Sequence, residues 1–203
     1  MTIKHVVFDV GQVLLNWDPE KSYEDLIPDA DERRTFLQTV CTPQWNAEQD
    51  AGRSWREAEE ILIARHPEKA DLICAYRINW HKSIYSAREE TVGLMQALIG
   101  RGVDVTLLTN FSAETWPEAC AKYPFLTHPR GATVSGIVGM VKPDGGIYRH
   151  HSEIFGLDPA ATFFTDDSAK NIDGARDFGW DAHHYLTDEG LRDALVERGL
   201  LSV

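Results

Sequence analysis

The chain has 203 residues, of which 43% are hydrophobic and 26% charged, and these proportions are typical of a globular protein. Its net charge of −12 disfavours binding to nucleic acid or to an anionic membrane, although a pocket with a metal or local cations still admits a small anionic ligand. The length suits one core domain with a smaller insertion, as a monomer or homodimer, and no apolar run approaches the roughly 18 residues of a membrane span.

The N-terminal region does not resemble a secretory signal. The apolar residues 6–8 are followed at once by Asp9, and no small-residue cleavage site comes after them. Three cysteines, Cys41, Cys74 and Cys120, form no CxxC pair, and their odd number favours reduced thiols over a disulfide framework. These features predict a cytoplasmic protein.

The first predicted elements are a buried strand and a long helical segment. Residues 5–10 form a short apolar run that ends in an acid and a glycine, as in a buried parallel strand. From 16 to 85 strand-like runs disappear and helical spacing takes over. Within it, the apolar spacing predicts a helix over 55–65, with Ser54 as N-cap and Glu57 completing a capping box. We expect 16–85 to be a helical insertion.

Strands and helices alternate again after the insertion. Further strands are predicted at 103–109, 132–135, 161–165 and 181–185, and helices at 89–99, 147–155 and 172–178. Strands separated by helices indicate a parallel sheet with right-handed crossovers. The predicted fold is therefore α/β: a Rossmann-like parallel sheet core of residues 1–15 and 86–203, interrupted by the insertion.

Polar side chains follow three of the predicted strands. Asp9 ends the first strand, Thr109 and Asn110 end the second, and Asp166 and Asp167 follow the strand at 161–165. Any one of them is explained by helix capping or a turn. In an open α/β sheet, however, ligands lie beyond the carboxyl ends of the strands, so three such ends predict one shared site.

Four segments resemble, in order, the four motifs of the haloacid dehalogenase superfamily: 6–14, 107–110, 142–148 and 163–171. The resemblance covers nearly the whole chain, and the insertion matches the family's helical cap in position and size. The first motif is similar to the Asp-x-Gly-x-Val branch of sugar-phosphate phosphatases, which includes a glucose-1-phosphatase type. The resemblance implies an enzyme that hydrolyses a small phosphorylated metabolite.

The resemblance also implies a magnesium cofactor and a covalent nucleophile. Asp9 would attack phosphorus with one carboxylate oxygen and bind Mg²⁺ with the other. The remaining protein ligands would be the backbone carbonyl of Gly11 and the acids Asp166 and Asp167, since Mg²⁺ prefers hard oxygen ligands. In the family the second acid, here Asp167, is the more regular ligand, and Asp166 is either a direct ligand or a group behind the ligands.

The same resemblance assigns the phosphoryl-binding groups. Lys142 would neutralise the nucleophile and the phosphoryl oxygens, and Thr109, assisted by Asn110, would hydrogen-bond the phosphoryl group. Asn171 would orient Lys142 or an acid of the metal site.

Gly11 departs from the pattern. Most phosphatases of the superfamily carry an aspartate there as general acid and base, a group typically worth about 10² to 10⁴ in rate. Three explanations are compatible with this glycine. Another group takes the role of acid and base, or the substrate has a good leaving group. In the third, the protein is a slow enzyme or a phosphate-ligand binding module.

Other functions and residues are weaker candidates. A 2-haloacid dehalogenase would use the same aspartate, but its first motif usually reads Asp-x-Tyr-Gly-Thr and it needs no metal pair. A phosphomutase would need the missing acid and base. Cap residues able to contact substrate are Asn16, Trp17, Trp45, Asn46 and Arg53, none of which the sequence assigns to the site. The pairs at 150–151 and 183–184 are interpreted as surface or partly packed histidines, because adjacent side chains make a poor chelate.

Overall fold

The computed structural model describes residues 2–202 and contains two sheets and eleven α-helices within that range. The strands are β1 (His5–Phe8), β2 (Leu15–Trp17), β3 (Ile84–Ala87), β4 (Asp104–Thr109), β5 (Ala132–Val134), β6 (Thr162–Asp166) and β7 (Asp181–His184). The helices are α1 (Ala30–Thr39), α2 (Pro43–Asp50), α3 (Trp55–Arg65), α4 (Ala70–Ile78), α5 (Trp80–Ser83), α6 (Glu89–Gly100), α7 (Trp116–Lys122), α8 (Ser135–Val138), α9 (Gly145–Phe155), α10 (Ala169–Phe178) and α11 (Asp188–Glu197).

The main sheet is parallel and has five strands in the order β5-β4-β1-β6-β7. Its central strand shows why helices cover both faces. Val6 and Phe8 belong to the larger apolar cluster, which includes residues of α6 and α11, whereas Val7 belongs to a second cluster with residues of α9 and α10. All three side chains are completely buried, as expected of a strand packed on two sides. The predicted α/β fold with a parallel sheet is confirmed.

The insertion contains α1 to α5 between two short strands. β2 and β3 pair antiparallel, with a register shift between Asn16 and Trp17, and bring the two ends of the insertion together. The predicted boundaries at 15/16 and 85/86 fall inside this strand pair. Aromatic rings build the interior of the insertion, with Trp55 stacked on Tyr76 and Trp45 packed edge-on against both.

Local signals account for several helix ends. The Ser54 hydroxyl accepts the Glu57 N–H at the start of α3, as the capping pattern predicted. Gly156 and Gly179 adopt left-handed backbone conformations where α9 and α10 end. The sequence did not predict α7 or α11.

His151 lies inside the core, so its interpretation as a surface or partly packed residue was wrong. Its ring nitrogens lie 2.9 Å from the Thr106 hydroxyl of β4 and 2.7 Å from the Thr133 hydroxyl of β5. Burial lowers the pKa of His151 to about 3.

Two further findings concern the whole chain. The three cysteines are free thiols. Among the described residues, no helix combines the length and the apolar character needed to cross a membrane.

Candidate active site

Strand register brings the predicted polar residues to one edge of the sheet. Phe8 of β1 pairs with Leu107 of β4 and with Thr165 of β6, and the Asp9 N–H donates to the Thr165 carbonyl at 3.0 Å. Because the three strands are parallel, the residues that follow them meet at the carboxyl edge.

Three carboxylates converge at this edge. One oxygen each of Asp9, Asp166 and Asp167 lies within 4.8 Å of the others. Asp9 and Asp166 are buried, and Asp167 is exposed. Burial raises the pKa of Asp9 to about 8 against the opposing effect of Lys142, and burial together with Asp166 raises the pKa of Asp167. Three acids facing one ammonium have an excess of negative charge, and their hard oxygens are the ligands that Mg²⁺ prefers. This donor set fits magnesium.

The Lys142 side chain is the cationic centre of the cluster. Its ammonium lies 2.8 Å from Asp9 Oδ1 and donates to Asp166 Oδ2 at 2.6 Å and to the Leu108 carbonyl at 2.9 Å. The side chain is 1% exposed. Burial alone would lower the pKa of Lys142, but Asp166 and Asp9 together raise it, so the ammonium stays charged beside the carboxylates.

Asp9 is held through one of its two carboxylate oxygens. Oδ1 accepts the Val10 N–H at 2.7 Å and contacts the Lys142 ammonium. Oδ2 receives no hydrogen bond from the residues that the structure describes. The second oxygen is therefore available for a metal or an electrophile.

Asp166 is saturated by hydrogen bonds. The Asn171 amide donates to both of its oxygens, at 2.9 and 3.0 Å, and the Ser168 N–H donates to Oδ1 at 2.8 Å. With the Lys142 contact, these bonds occupy the positions that a ligand to a cation would need. Of the two roles predicted for Asp166, the geometry favours a residue that orients the neighbouring groups without binding the metal itself.

Asn110 contacts Lys142 rather than the open space of the site. Its side-chain oxygen accepts the Lys142 N–H at 2.9 Å, and its amide donates to the Lys142 carbonyl at 3.0 Å, next to the cis peptide bond between Lys142 and Pro143. The amide thus fixes the backbone of the lysine. Direct substrate binding by Asn110 stays a prediction.

The Thr109 hydroxyl is buried and has no hydrogen-bond partner among the described residues. A buried hydroxyl without a partner is costly, so a group that binds it, from solvent or from a ligand, is favourable. Its place at the end of β4, one strand away from Asp9, suits the phosphoryl contact that the sequence predicted.

The turn after Asp9 includes a residue that the sequence did not mark. Gln12 has a φ of 57°, which is uncommon for a residue with a side chain, and its amide donates to the Trp17 carbonyl at 2.6 Å. The N–H groups of Leu14 and Leu15 both donate to the Val10 carbonyl. A Cβ placed on Gly11 would meet no atom of residues 2–202 within 4 Å apart from those of its two chain neighbours. The backbone therefore does not require glycine there.

The insertion is docked onto the core beside the site. The Trp55 backbone N–H donates to Glu114 at 2.9 Å, and its indole N–H donates to the Ser112 hydroxyl at 3.1 Å. The Ser135 hydroxyl donates to the Asp50 carbonyl. These bonds tie α2 and α3 to the loops that follow β4 and β5.

The five candidate cap residues have different surroundings. Trp17 and Asn46 line a cavity between the insertion and the core, whereas Trp45 packs in the aromatic interior of the insertion. Asn16 donates to Ser86, and Arg53 donates to Gln49 and to the Trp45 carbonyl. Only two of the five therefore line this cavity.

Comparisons with known proteins identify the family of the chain. The sequence model of the haloacid dehalogenase-like hydrolases matches residues 3–179. A sesquiterpene phosphatase of Aspergillus oryzae is 27% identical over 198 residues, which cover 92% of this chain and 91% of that protein.

Solved structures share the fold. A wild-type HAD-family enzyme of Bacteroides thetaiotaomicron, in complex with magnesium and inorganic phosphate, has a TM-score of 0.66 at 22% identity, over 89% of this chain and 93% of its own. An L-2-haloacid dehalogenase of Xanthobacter autotrophicus with chloropropionic acid covalently bound has a TM-score of 0.65 at 17% identity, over 98% of this chain and 85% of its own. At these identities the likeness establishes the architecture alone.

Proposed function

The chain belongs to the haloacid dehalogenase-like hydrolases, and from that premise we propose that it is a magnesium-dependent phosphatase of small phosphate monoesters. The reaction runs through a covalent phosphoaspartate on Asp9. The observation that carries the proposal is the convergence of three carboxylates within 4.8 Å beside the buried Lys142 ammonium. A relative named as a phosphatase supports the same chemistry.

The nucleophile is one carboxylate oxygen of Asp9, and the other oxygen would bind magnesium. The attack forms an O–P bond while the ester P–O bond breaks, and the departing alcohol takes a proton from water. A second water molecule then cleaves the acyl phosphate, releasing inorganic phosphate, the free carboxylate and a proton that neutralises the hydroxide left by the first water. Bound magnesium supplies the positive charge that lets an anionic nucleophile approach an anionic phosphoryl group. Asp9, Asp167 and the Gly11 carbonyl are the proposed ligands.

The surrounding residues position this chemistry. Lys142 fixes one oxygen of Asp9 and adds positive charge where negative charge develops. Asp166, held by Asn171 and Ser168, orients the lysine, and Asn110 fixes its backbone. The Thr109 hydroxyl donates to a phosphoryl oxygen.

Gly11 leaves the site without the usual general acid for the departing alcohol. Without a carboxylic acid two residues after Asp9, no positioned group from that position protonates the departing alcohol. We therefore expect modest turnover for alkyl phosphates and faster turnover when the leaving group is acidic. Sugar phosphates are the substrates that the sequence resemblance predicts, and they belong in the first assays.

The direct test measures phosphate release from sugar phosphates, nucleotides and p-nitrophenyl phosphate with and without Mg²⁺. Asp9→Asn keeps the size of the side chain but removes the nucleophile, so we expect turnover to fall by at least about 10³-fold. Asp177→Asn is the matched control, because Asp177 is an exposed acid on α10. Mass spectrometry of rapidly quenched enzyme should show the phosphoryl adduct on Asp9.

Other outcomes would replace the proposal. Chloride release from 2-chloropropionate without metal, and without phosphatase activity, would identify a dehalogenase. Binding of Mg²⁺ and phosphate with no turnover of any ester would identify a binding module instead.

A further inference from the structure

A cavity of about 290 Å³ adjoins the proposed phosphoryl site. It lies between the insertion and the core, with walls from the turn after β1, from α2, from the segment around α5 and from the loop after β4. Gly11 and Asn110 form part of the wall, and they are two residues from Asp9 and one residue from Thr109, respectively. The cavity is therefore placed to receive the part of a substrate that leaves when its phosphate is transferred.

Apolar side chains make up much of this wall. The larger ones are Leu15, Trp17, Pro43, Trp80, Ile84 and Phe111. The rings of Trp80 and Phe111 pack edge to face at 5.5 Å between centroids, which gives this part of the wall a fixed shape. A ligand that displaces water from such a surface gains by burying carbon rather than hydroxyl groups.

Most polar side chains of the wall are already engaged within the protein. The Gln12 amide donates to the Trp17 carbonyl, the Ser112 hydroxyl accepts the Trp55 indole N–H, and Asn110 is bonded to the Lys142 backbone.

Few polar groups are left for a ligand. The buried Thr115 hydroxyl has no partner among the described residues, and Asn46 contacts Asp50 at 3.3 Å. A sugar in this cavity would bury several hydroxyls without partners, at a cost of roughly tenfold or more in binding for each.

The charge of the wall excludes a second class of ligand. No lysine, arginine or histidine lines it in the described part of the chain, and Asp50 is its only ionisable side chain there. Burial raises the pKa of Asp50 to about 7. An anionic group on the departing alcohol would find no cation and would face a partly ionised acid.

We propose that the alcohol released from the substrate is uncharged and mostly apolar, and that it occupies this cavity. The inference rests on the proposed phosphatase function and narrows its substrates from phosphate monoesters in general to esters of such alcohols. This class of substrate differs from the sugar phosphates that the sequence resemblance predicts.

The test compares two esters whose leaving groups are the same kind of primary alcohol. Cyclohexylmethyl phosphate and glucose 6-phosphate both release a primary alcohol attached to a six-membered ring, so the chemistry at phosphorus is alike. We expect kcat/KM to be at least about 100-fold higher for cyclohexylmethyl phosphate, because its ring carries no hydroxyls. A carboxylate at the far end of that ring should lower kcat/KM at least about tenfold. Methyl phosphate, too small to fill the cavity, provides the reference.

Substitutions at two neighbouring positions on α2 test whether the alcohol binds in this cavity. Ala47 lines the cavity, whereas Glu48 is exposed and does not. Ala47→Leu should lower the kcat/KM of cyclohexylmethyl phosphate relative to methyl phosphate about tenfold, since the added carbons occupy the cavity. Glu48→Leu, the matched control, should leave that ratio unchanged.

Three results would overturn the inference. If glucose 6-phosphate is hydrolysed as well as cyclohexylmethyl phosphate, the phosphatase stands and the apolar substrate class fails. If Ala47→Leu leaves the ratio unchanged, the alcohol binds elsewhere. If no ester is hydrolysed, methyl phosphate included, the proposed function fails and the inference fails with it.

Discussion

The Thr109 hydroxyl allows binding and stability to be separated by one substitution. It is buried without a partner among the described residues, so in the free protein it carries a desolvation cost and returns no hydrogen bond. Thr109→Val keeps the shape and removes the oxygen. We expect the free energy of unfolding to rise by about 1 kcal/mol and kcat/KM for phosphate esters to fall about 10- to 100-fold. Urea unfolding and steady-state kinetics on one preparation measure both.

Thr109→Ser is the control for that substitution. It retains the hydroxyl and loses only a methyl group, so activity should stay within a few-fold of the parent. A valine variant that is both less stable and fully active would show that the hydroxyl serves the fold and not a ligand.

Gly11 tests whether the missing acid limits the rate. A Cβ there meets no described atom within 4 Å apart from those of its two chain neighbours, and the glycine has no left-handed backbone that a substitution would strain. Gly11→Asp should therefore fold and place a carboxyl group two residues after the nucleophile. We expect kcat for alkyl phosphates to rise at least about tenfold, with a smaller rise for p-nitrophenyl phosphate, whose leaving group needs no proton.

Gly11→Asn has the same size as the aspartate variant but cannot donate and take back a proton. If both variants change the rate alike, the effect comes from bulk in the cavity. If neither changes it, another group already acts as the acid and base.

At the residue scale, the sequence identified the chemical groups but not their contacts. Asp9, Thr109 and the two adjacent acids have distinctive positions at strand ends, and parallel pairing brings strand ends together whatever lies between them. Lys142 was identified through the family resemblance of its segment. The bond from Asn110 to the Lys142 backbone depends on the path of 32 residues, which no local pattern encodes. Gln12 carried no signal either, since its positive φ occurs without glycine.

At the scale of elements, His151 links a helix to the sheet. It lies on α9 and contacts hydroxyls of β4 and β5, and its pKa falls from 6.5 to about 3 through burial. The unfolded chain therefore binds the proton better, so this contribution to stability is complete above pH 6.5 and is lost as the pH falls toward 3. At pH 5 the loss is about 2 kcal/mol. The unfolding free energy of His151→Gln should vary less between pH 7 and 5 than that of the parent.

His128 is the matched control, because it is exposed. His128→Gln should keep the pH dependence of the parent protein. Equal pH dependence in the parent and in both variants would mean that His151 becomes protonated without cost in the folded state.

Two strands that the sequence missed, β2 and β3, share a physical cause. β2 and β3 have three and four residues, too few for alternation to be read, and they are stabilised by pairing with each other across the insertion. The longer buried strands were predicted, and so were α9 and α10, because burial on both faces of a strand and a glycine at the end of a helix are visible in the sequence. The docking of the insertion through Trp55 was not predictable, since its partners lie on the loop after β4.

At the scale of the molecule, the net charge of −12 opposes the approach of a phosphate ester. At low ionic strength this field reaches about 30 Å, and at 0.15 M it is reduced to about 8 Å. The kcat/KM at substrate concentrations well below KM should therefore rise about threefold between 10 and 150 mM salt. Magnesium must be saturating throughout, because the same screening weakens cation binding and would mask the effect.

A charge-reversed variant distinguishes the field of the whole molecule from that of the site. Asp193 and Glu197 are exposed on α11, and the following Arg198 pairs with Asp181 at the start of β7, at the sheet edge opposite Asp9. Asp193→Lys with Glu197→Lys lowers the net negative charge without touching the site, so kcat/KM should rise at 10 mM salt and depend less on salt. If kcat/KM falls with salt in both proteins, the local field of Lys142 and magnesium governs the approach, and the overall charge of the surface does not.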